Sequence, residues 1–166
     1  LSRIIKNEQA VRYPYYLAAD IVPELDRLSG CGVKVVILFS GDTGFYSGCG
    51  KLYETLKGRS DSRVRIYPGI SSVSYLAALT GYSYQDAAVL SIHGHGADSE
   101  WIGNLTETIR FSAKTFLLMS GKEDVQKLGR LLQNYHLQNC TVLAGFQLSY
   151  PQEKVLALTP EACEHV

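Results

Sequence analysis

The hydrophobic and polar positions along the first half of the chain follow two patterns, one typical of strands and one typical of helices. Residues 33–39 are continuously apolar except for Lys34, which predicts a buried parallel strand covered on both faces. Residues 64–69 predict a second strand. Apolar residues at helical spacing, with glycines at the ends, predict three helices: residues 21–28, 45–56 and 71–81. The alternation of strands and helices indicates an open parallel sheet.

The second half of the chain alternates in the same way and then ends in two strands. Strands and helices are predicted in this order: a strand at 88–94, a helix at 99–111, a strand at 115–119 and a helix at 123–137. Two further strands lie on either side of residues 149–151. A polar, turn-like segment at residues 83–87 separates the halves. We therefore predict an N-terminal α/β domain, residues 1–84, and a C-terminal α/β domain, residues 85–166.

Composition and charge exclude several classes of protein. Among the 166 residues 46% are hydrophobic and 19% charged, which is ordinary for a soluble globular protein. Sixteen basic and sixteen acidic residues cancel, so nothing favours nucleic-acid binding. The longest apolar run is far too short to span a bilayer. The four cysteines have no metal-site spacing and are interpreted as reduced thiols of a cytoplasmic protein.

Two predicted strands end in loops of small and polar residues, and ligands bind at this edge of parallel sheets. The first loop is residues 40–44, SGDTG, and the second loop is residues 68–72, PGISS. Glycines let a ligand approach the backbone, Asp42 adds a carboxylate, and Ser71 and Ser72 add hydroxyls at a helix N-terminus. Asp42 and Ser71 are equally suited to capping the following helices. Two such loops at consecutive strand ends favour a binding site.

Other chemistries fit the sequence less well. Neither a GxxxxGK[ST] motif nor a GxGxxG motif is present, and a carboxylate in the first loop would repel phosphate. His93 and His95 alternate after a strand, but no third ligand completes a metal shell. Ser91 and Ser149 lack the context of a nucleophile. The first loop therefore favours a ligand with cationic and polar groups.

Three segments in this order resemble the tetrapyrrole methylase family: FSGDTGFYSGCGKL, VRIYPGISSVSYLAALTGYSYQDAAVLSIHGH and LSYPQEKV. The resemblance extends from about residue 33 to residue 158. The two loops are specific to the wider family. The QDA…SIHGH and LSYPQEKV segments resemble the subgroup that methylates C5 of a precorrin or cobalt-precorrin in cobalamin biosynthesis.

The resemblance implies two small α/β sheets in two domains, with S-adenosyl-L-methionine, the methyl donor, held in the cleft between them. It implies a tetrapyrrole substrate and a homodimer. It also implies the residues that bind the donor, in the first loop, the second loop, after a later strand and near the last turn: Ser40, Gly41, Asp42, Phe45, Ser71, Ser72, Met119, Ser149 and Tyr150. Basic partners for the substrate's carboxylates would be Arg59, Arg63, Arg65 and Lys122, unless these form an ordinary solvated surface.

The chain departs from the family pattern in three places. The family opens with a strand and a GxGPG loop, and we expect this first βα unit to be missing ahead of Leu1, which truncates the N-terminal sheet. Thr43 stands where the family has proline, and Phe146 and Gln147 stand where it has an acidic residue and an asparagine. The residues identify no catalytic base. A different methylase of the family and a truncated, non-catalytic binding fragment remain alternatives, and a separate partner for the C15 methylation and decarboxylation stays open.

Overall fold

The computed structural model describes residues 5–60, 63–92 and 99–166, which form a mixed α/β fold. The α/β class predicted from the sequence is confirmed. The helices are α1 Ala18–Leu28, α2 Cys49–Leu56, α3 Ser72–Thr80, α4 Ser99–Phe111 and α5 Lys122–Asn134. The strands are β1 Ala88–Ser91, β2 Thr115–Leu118, β3 Val142–Phe146 and β4 Lys154–Leu158, followed by a 3₁₀ helix, Ala162–His165.

The chain divides into two compact units, one ending at Ser71 and one running from Ser72 to Val166. The division into functional domains at residues 84 and 85 stays a prediction. In the second unit, β1 and β2 pair in parallel and α4 connects them, as the pattern of the second half predicts. The pairing aligns Ala88 with Thr115 and Ser91 with Leu118. Beyond Ile92, the end of the predicted strand at 88–94 lies outside the described residues.

The last two strands form an antiparallel pair, β3 with β4, in which Ala144 lies opposite Leu156. Ala144 is buried in a cluster with Val125 of α5 and Cys163 of the 3₁₀ helix. Helix α5 approaches the 3₁₀ helix closely at Gly129: a Cβ there would lie 2.5 Å from the carbonyl oxygen of Pro160. The amphipathic pattern predicted for α5 is therefore used to pack the helix against the C-terminal segment.

The core of the first unit is a small cluster of Ile21 from α1 with Leu52 and Leu56 from α2. Ile37 and Phe39 pack against this cluster, but their neighbours do not: Val36 is 79% exposed. In the part of the chain that the structure describes, residues 33–39 and 64–69 form no strand ladder. The prediction that residues 33–39 form a strand covered on both faces is wrong here, because only alternate side chains find a packing partner.

Helix ends differ from the predicted ones where a residue adopts a left-handed backbone conformation. Helix α2 begins at Cys49 instead of residue 45, because Tyr46 has φ 48° and breaks the helical path before it. Helix α5 ends at Asn134 instead of residue 137, and His136 with φ 58° follows. Helix α1 begins at Ala18 instead of residue 21, so Pro23 lies in its interior. None of the described helices has the length and apolar character to cross a membrane.

Candidate functional site

The first and second loops contact each other within the first unit. A Cβ on Gly69 would lie 2.2 Å from the carbonyl oxygen of Gly41, so the two backbones touch with no room for a side chain. Gly41 has φ +70° and lies near the carbonyl of Ile70. The hydroxyl of Thr43 donates a hydrogen bond to the carbonyl of Tyr67 at 3.2 Å. The two loops that the sequence singled out therefore form one surface, and the glycines are needed for this contact.

The Asp42 side chain organises the first loop. The side-chain Oδ1 accepts a hydrogen bond from the backbone N–H of Gly44 at 2.8 Å. The backbone carbonyl of Asp42 accepts a second one from the backbone N–H of Phe45 at 3.3 Å. This is a local turn closed by the carboxylate. The alternative that Asp42 caps the following helix is wrong, because the residue before α2 is Gly48. No partner among the described residues contacts the second carboxylate oxygen, Oδ2, which leaves it able to accept from a ligand.

Two aromatic rings follow the first loop. Phe45 and Tyr46 pack edge to face, with ring centroids 5.0 Å apart and planes at 89°. Tyr46 is 59% exposed and has φ 48°, a conformation that is unusual for a bulky residue. Sequence reasoning selected Phe45 and passed over Tyr46. The aromatic pair in GFY was the available signal.

The two serines of the second loop have different surroundings. Ser71 is buried at 9% exposure, whereas Ser72 is exposed as the first residue of α3. The first backbone N–H groups of a helix have no partner inside the helix and favour polar or anionic groups. Ser72 thus places an exposed hydroxyl in the first turn of α3.

The remaining predicted donor-binding residues lie in the second unit. Met119 follows β2 and packs against the cluster around Ala144, so part of its side chain is used in the core. Ser149 and Tyr150 lie in the hairpin loop, residues 147–153, between β3 and β4. Tyr150 is 55% exposed, and its backbone N–H donates to the carbonyl of Gln147 at 2.9 Å. Ser149 has φ 70°, in the left-handed region.

Sequence reasoning did not select Glu153 or Tyr75, which meet at the hairpin loop. The Glu153 carboxylate accepts the backbone N–H of Ser149 at 2.6 Å. It also accepts the hydroxyl of Tyr75, and this hydrogen bond raises the pKa of Tyr75 above its ordinary value. The acidic residue just after the Tyr-Pro turn was the only sequence signal for this arrangement.

Two cavities lie away from the two loops. The larger, of about 340 Å³, is lined by residues of α4 together with Tyr135. Two of its polar side chains have partners inside the protein: Arg110 donates to the carbonyl of Tyr135, and Thr106 donates within α4. The second, of about 250 Å³, lies beside Pro160. We place the candidate site at the loops because their backbones touch at Gly41 and Gly69 and the Asp42 carboxylate lies beside this contact.

The structure describes the basic candidates for substrate binding but not the two histidines that the sequence does not support as metal ligands. His93 and His95 lie outside the described residues. Within residues 5–60, 63–92 and 99–166, no three histidine, cysteine or acidic side chains are grouped as metal ligands. Arg59 forms an ion pair with Asp26 at 2.5 Å, which assigns it a structural partner. The other basic candidates are exposed: Arg63, Arg65 and Lys122.

A comparison of the sequence with models of protein families identifies the family of the chain. A family model described as Tetrapyrrole (Corrin/Porphyrin) Methylases matches residues 7–162, nearly the whole chain. The chain belongs to the tetrapyrrole methylase family. The resemblance predicted from the two loops is confirmed at the level of the family. Membership indicates a methyltransferase that uses S-adenosylmethionine and a tetrapyrrole substrate. A search of curated proteins found no match to the chain.

Proposed function

We propose that the chain methylates C5 of a precorrin or cobalt-precorrin in cobalamin biosynthesis, with S-adenosylmethionine as methyl donor. Two segments of the chain are similar to precorrin-6Y C5,15-methyltransferase, also called cobalt-precorrin-7 (C5)-methyltransferase. Two segments support this subgroup: QDA…SIHGH, starting at Gln85, and LSYPQEKV, starting at Leu148. The family match supports the reaction class, and these segments support the substrate.

The observation that carries the proposal is the contact between Gly41 and Gly69, with the Asp42 carboxylate beside it. Asp42 uses Oδ1 inside the loop and keeps Oδ2 for a ligand. A carboxylate there stabilises a cationic group, and the donor carries both a sulfonium and an ammonium. The donor supplies an electrophilic methyl group, and the protein's part is to align it with the nucleophilic ring carbon and exclude water.

This chemistry is consistent with the rest of the described chain. Direct displacement at a sulfonium requires neither a covalent enzyme intermediate nor a metal. We propose that the donor-binding residues named from the resemblance serve this step. We also expect a homodimer and a cytoplasmic location.

Calorimetric titration of S-adenosylmethionine against Asp42→Asn and Asp42→Ala tests the proposal. Asparagine keeps an oxygen for the N–H of Gly44 but removes the charge, so Asp42→Asn should weaken donor binding by about tenfold if the carboxylate faces a cation. Asp42→Ala also loses the turn and should weaken binding further. Asp86→Asn is the matched control, because Asp86 is exposed, lies outside both loops and has φ 57°, which asparagine tolerates.

S-adenosylhomocysteine separates the two cationic groups, because it keeps the ammonium and lacks the sulfonium. A penalty for Asp42→Asn that appears only with the methyl donor assigns the carboxylate to the sulfonium. An equal penalty with both compounds assigns it to the ammonium. Unchanged affinity in Asp42→Asn would remove the first loop from the site. Methyl transfer to a tetrapyrrole other than a C5 precorrin would keep the family and overturn the subgroup.

A further inference from the structure

Glu153 connects two elements of the second unit through one carboxylate. Its side chain accepts the backbone N–H of Ser149 at 2.6 Å, inside the hairpin loop. It also accepts the hydroxyl of Tyr75, which lies on α3 one helical turn after Ser72. Its own backbone N–H donates to the carbonyl of Tyr150 at 2.9 Å. One residue therefore holds the hairpin loop at two points and ties it to a helix.

The hairpin loop needs such support because its backbone is strained. Gln147 has φ 47° and Ser149 has φ 70°, and neither is glycine. A non-glycine residue is disfavoured in the left-handed region, so the loop keeps this shape only where contacts compensate. Three hydrogen bonds provide those contacts. The backbone N–H of Tyr150 donates to the carbonyl of Gln147, and the backbone N–H of Glu153 donates to the carbonyl of Tyr150. The backbone N–H of Ser149 donates to the Glu153 carboxylate.

A second contact shows that α3 and the hairpin are packed together. A Cβ on Gly145, in β3, would lie 3.1 Å from Cδ1 of Leu76 in α3, and 3.0 Å from Leu148 at the start of the hairpin loop. The Glu153–Tyr75 hydrogen bond thus lies beside a close packing contact of the same two elements. Replacing this carboxylate with a carboxamide removes the negative charge and one acceptor oxygen, so the hydrogen bonds to the two donors become weaker.

We propose that Glu153 is a positioning residue for donor binding, which fixes the loop carrying Ser149 and Tyr150 relative to Ser72 on α3. This role rests on the proposed function, since it takes these three residues to be donor contacts. Glu153 touches neither reactant. Its effect is to hold polar groups of two elements in one geometry before the donor arrives, which lowers the entropy lost on binding.

The test compares Glu153→Gln and Tyr75→Phe with the unaltered chain. We expect Glu153→Gln to raise the dissociation constant and the KM for S-adenosylmethionine at least about fivefold, while kcat at saturating donor changes less than twofold. Tyr75→Phe removes only the tie to α3 and should give a smaller rise. Glu161→Gln is the matched control, because Glu161 is an exposed glutamate of the same unit that makes no side-chain cap hydrogen bond.

Hydrogen exchange at the Ser149 amide provides a readout independent of the donor. Exchange should accelerate in Glu153→Gln and stay unchanged in Glu161→Gln. If the unaltered chain binds no donor, the proposed function fails, and the positioning role fails with it. If the unaltered chain binds donor and Glu153→Gln binds it equally well, only the positioning role fails. A fall in kcat with unchanged KM would also overturn it.

Discussion

Gly69 and Gly41 lie so close that a methyl group on Gly69 would be 2.2 Å from the carbonyl oxygen of Gly41. This contact gives the two glycines a structural function that precedes any ligand. The first loop and the second loop contact each other because neither backbone carries a side chain there, and Thr43 closes the contact with its hydrogen bond to Tyr67. Because glycine has no side chain, the backbone groups at this contact are also accessible to a ligand. The close contact of the two loops and the binding of a ligand therefore both require glycine.

Substitution of Gly69 by alanine should separate the two loops. The clash is with backbone atoms, which cannot rotate away, so we expect a loss of about 1–3 kcal/mol in the free energy of unfolding. Donor binding should weaken in parallel, because the first loop must move. Gly50→Ala is the control: Gly50 lies in α2 with no atom within 4 Å of its added Cβ, and alanine should stabilise that helix by up to about 1 kcal/mol. Urea denaturation measures both, and equal stability of the two variants would contradict the contact.

The hydroxyl of Thr115, at the start of β2, is buried and has no hydrogen-bond partner among the described residues. Valine has nearly the same shape and no polar atom, so Thr115→Val should raise the free energy of unfolding by about 1 kcal/mol. Thr106→Val is the matched control, because the buried Thr106 hydroxyl donates to carbonyls of α4 at 2.9 and 3.1 Å. Thermal unfolding should show a gain for the first variant and none for the second. A loss in Thr115→Val would mean that the hydroxyl has a partner.

Cys163 lies in the 3₁₀ helix with no exposed surface, and burial raises the pKa of its thiol. A folded-state pKa above the unfolded value contributes stability that is present below the unfolded pKa and is lost as pH rises through the folded pKa. The free energy of unfolding should therefore fall above pH of about 8.5. The fall should be smaller in Cys163→Ala, which has no thiol at this position. Urea unfolding between pH 7 and pH 10 measures the difference, and parallel curves would contradict the prediction.

The rate of thiol labelling provides a separate test of the burial of Cys163. Cys31 is exposed and should react with an aromatic disulfide reagent within the mixing phase, and Cys31→Ala should remove that phase. Cys163 should react only as fast as the second unit opens. Labelling of Cys163 at the rate of Cys31 would show that the cluster around Ala144 does not protect it.

Local patterns predicted the secondary structure of the second unit well, and the reason is visible in particular elements. The helical spacing of Val125 and Leu128 predicts α5, and the same residues are buried in the structure. The hairpin of β3 and β4 follows from two apolar runs around a turn. Its loop shape does not follow, because the left-handed Gln147 and Ser149 are held by hydrogen bonds that no propensity predicts.

Residues 33–39 show where the pattern misleads. A continuous apolar run indicates that the side chains prefer an apolar environment. It does not indicate which neighbouring residues provide that environment. Ile37 and Phe39 find that environment against α1 and α2, while Val36 does not. Asp42 shows the same limit for polar residues. Its type and position fit a helix cap, a ligand contact or a local turn, and only the direction of its side chain distinguishes them.

The sequence by itself determined the family, the α/β class, the two loops and most helices, because these depend on residues close together in the chain or on motifs quoted directly from it. Only the tertiary structure decided that Gly41 meets Gly69, that Asp42 closes its own turn, and that Glu153 joins Tyr75 to Ser149. Such contacts depend on how distant segments pack and on which hydrogen bonds the packed backbone leaves open. Neither quantity is encoded in local periodicity.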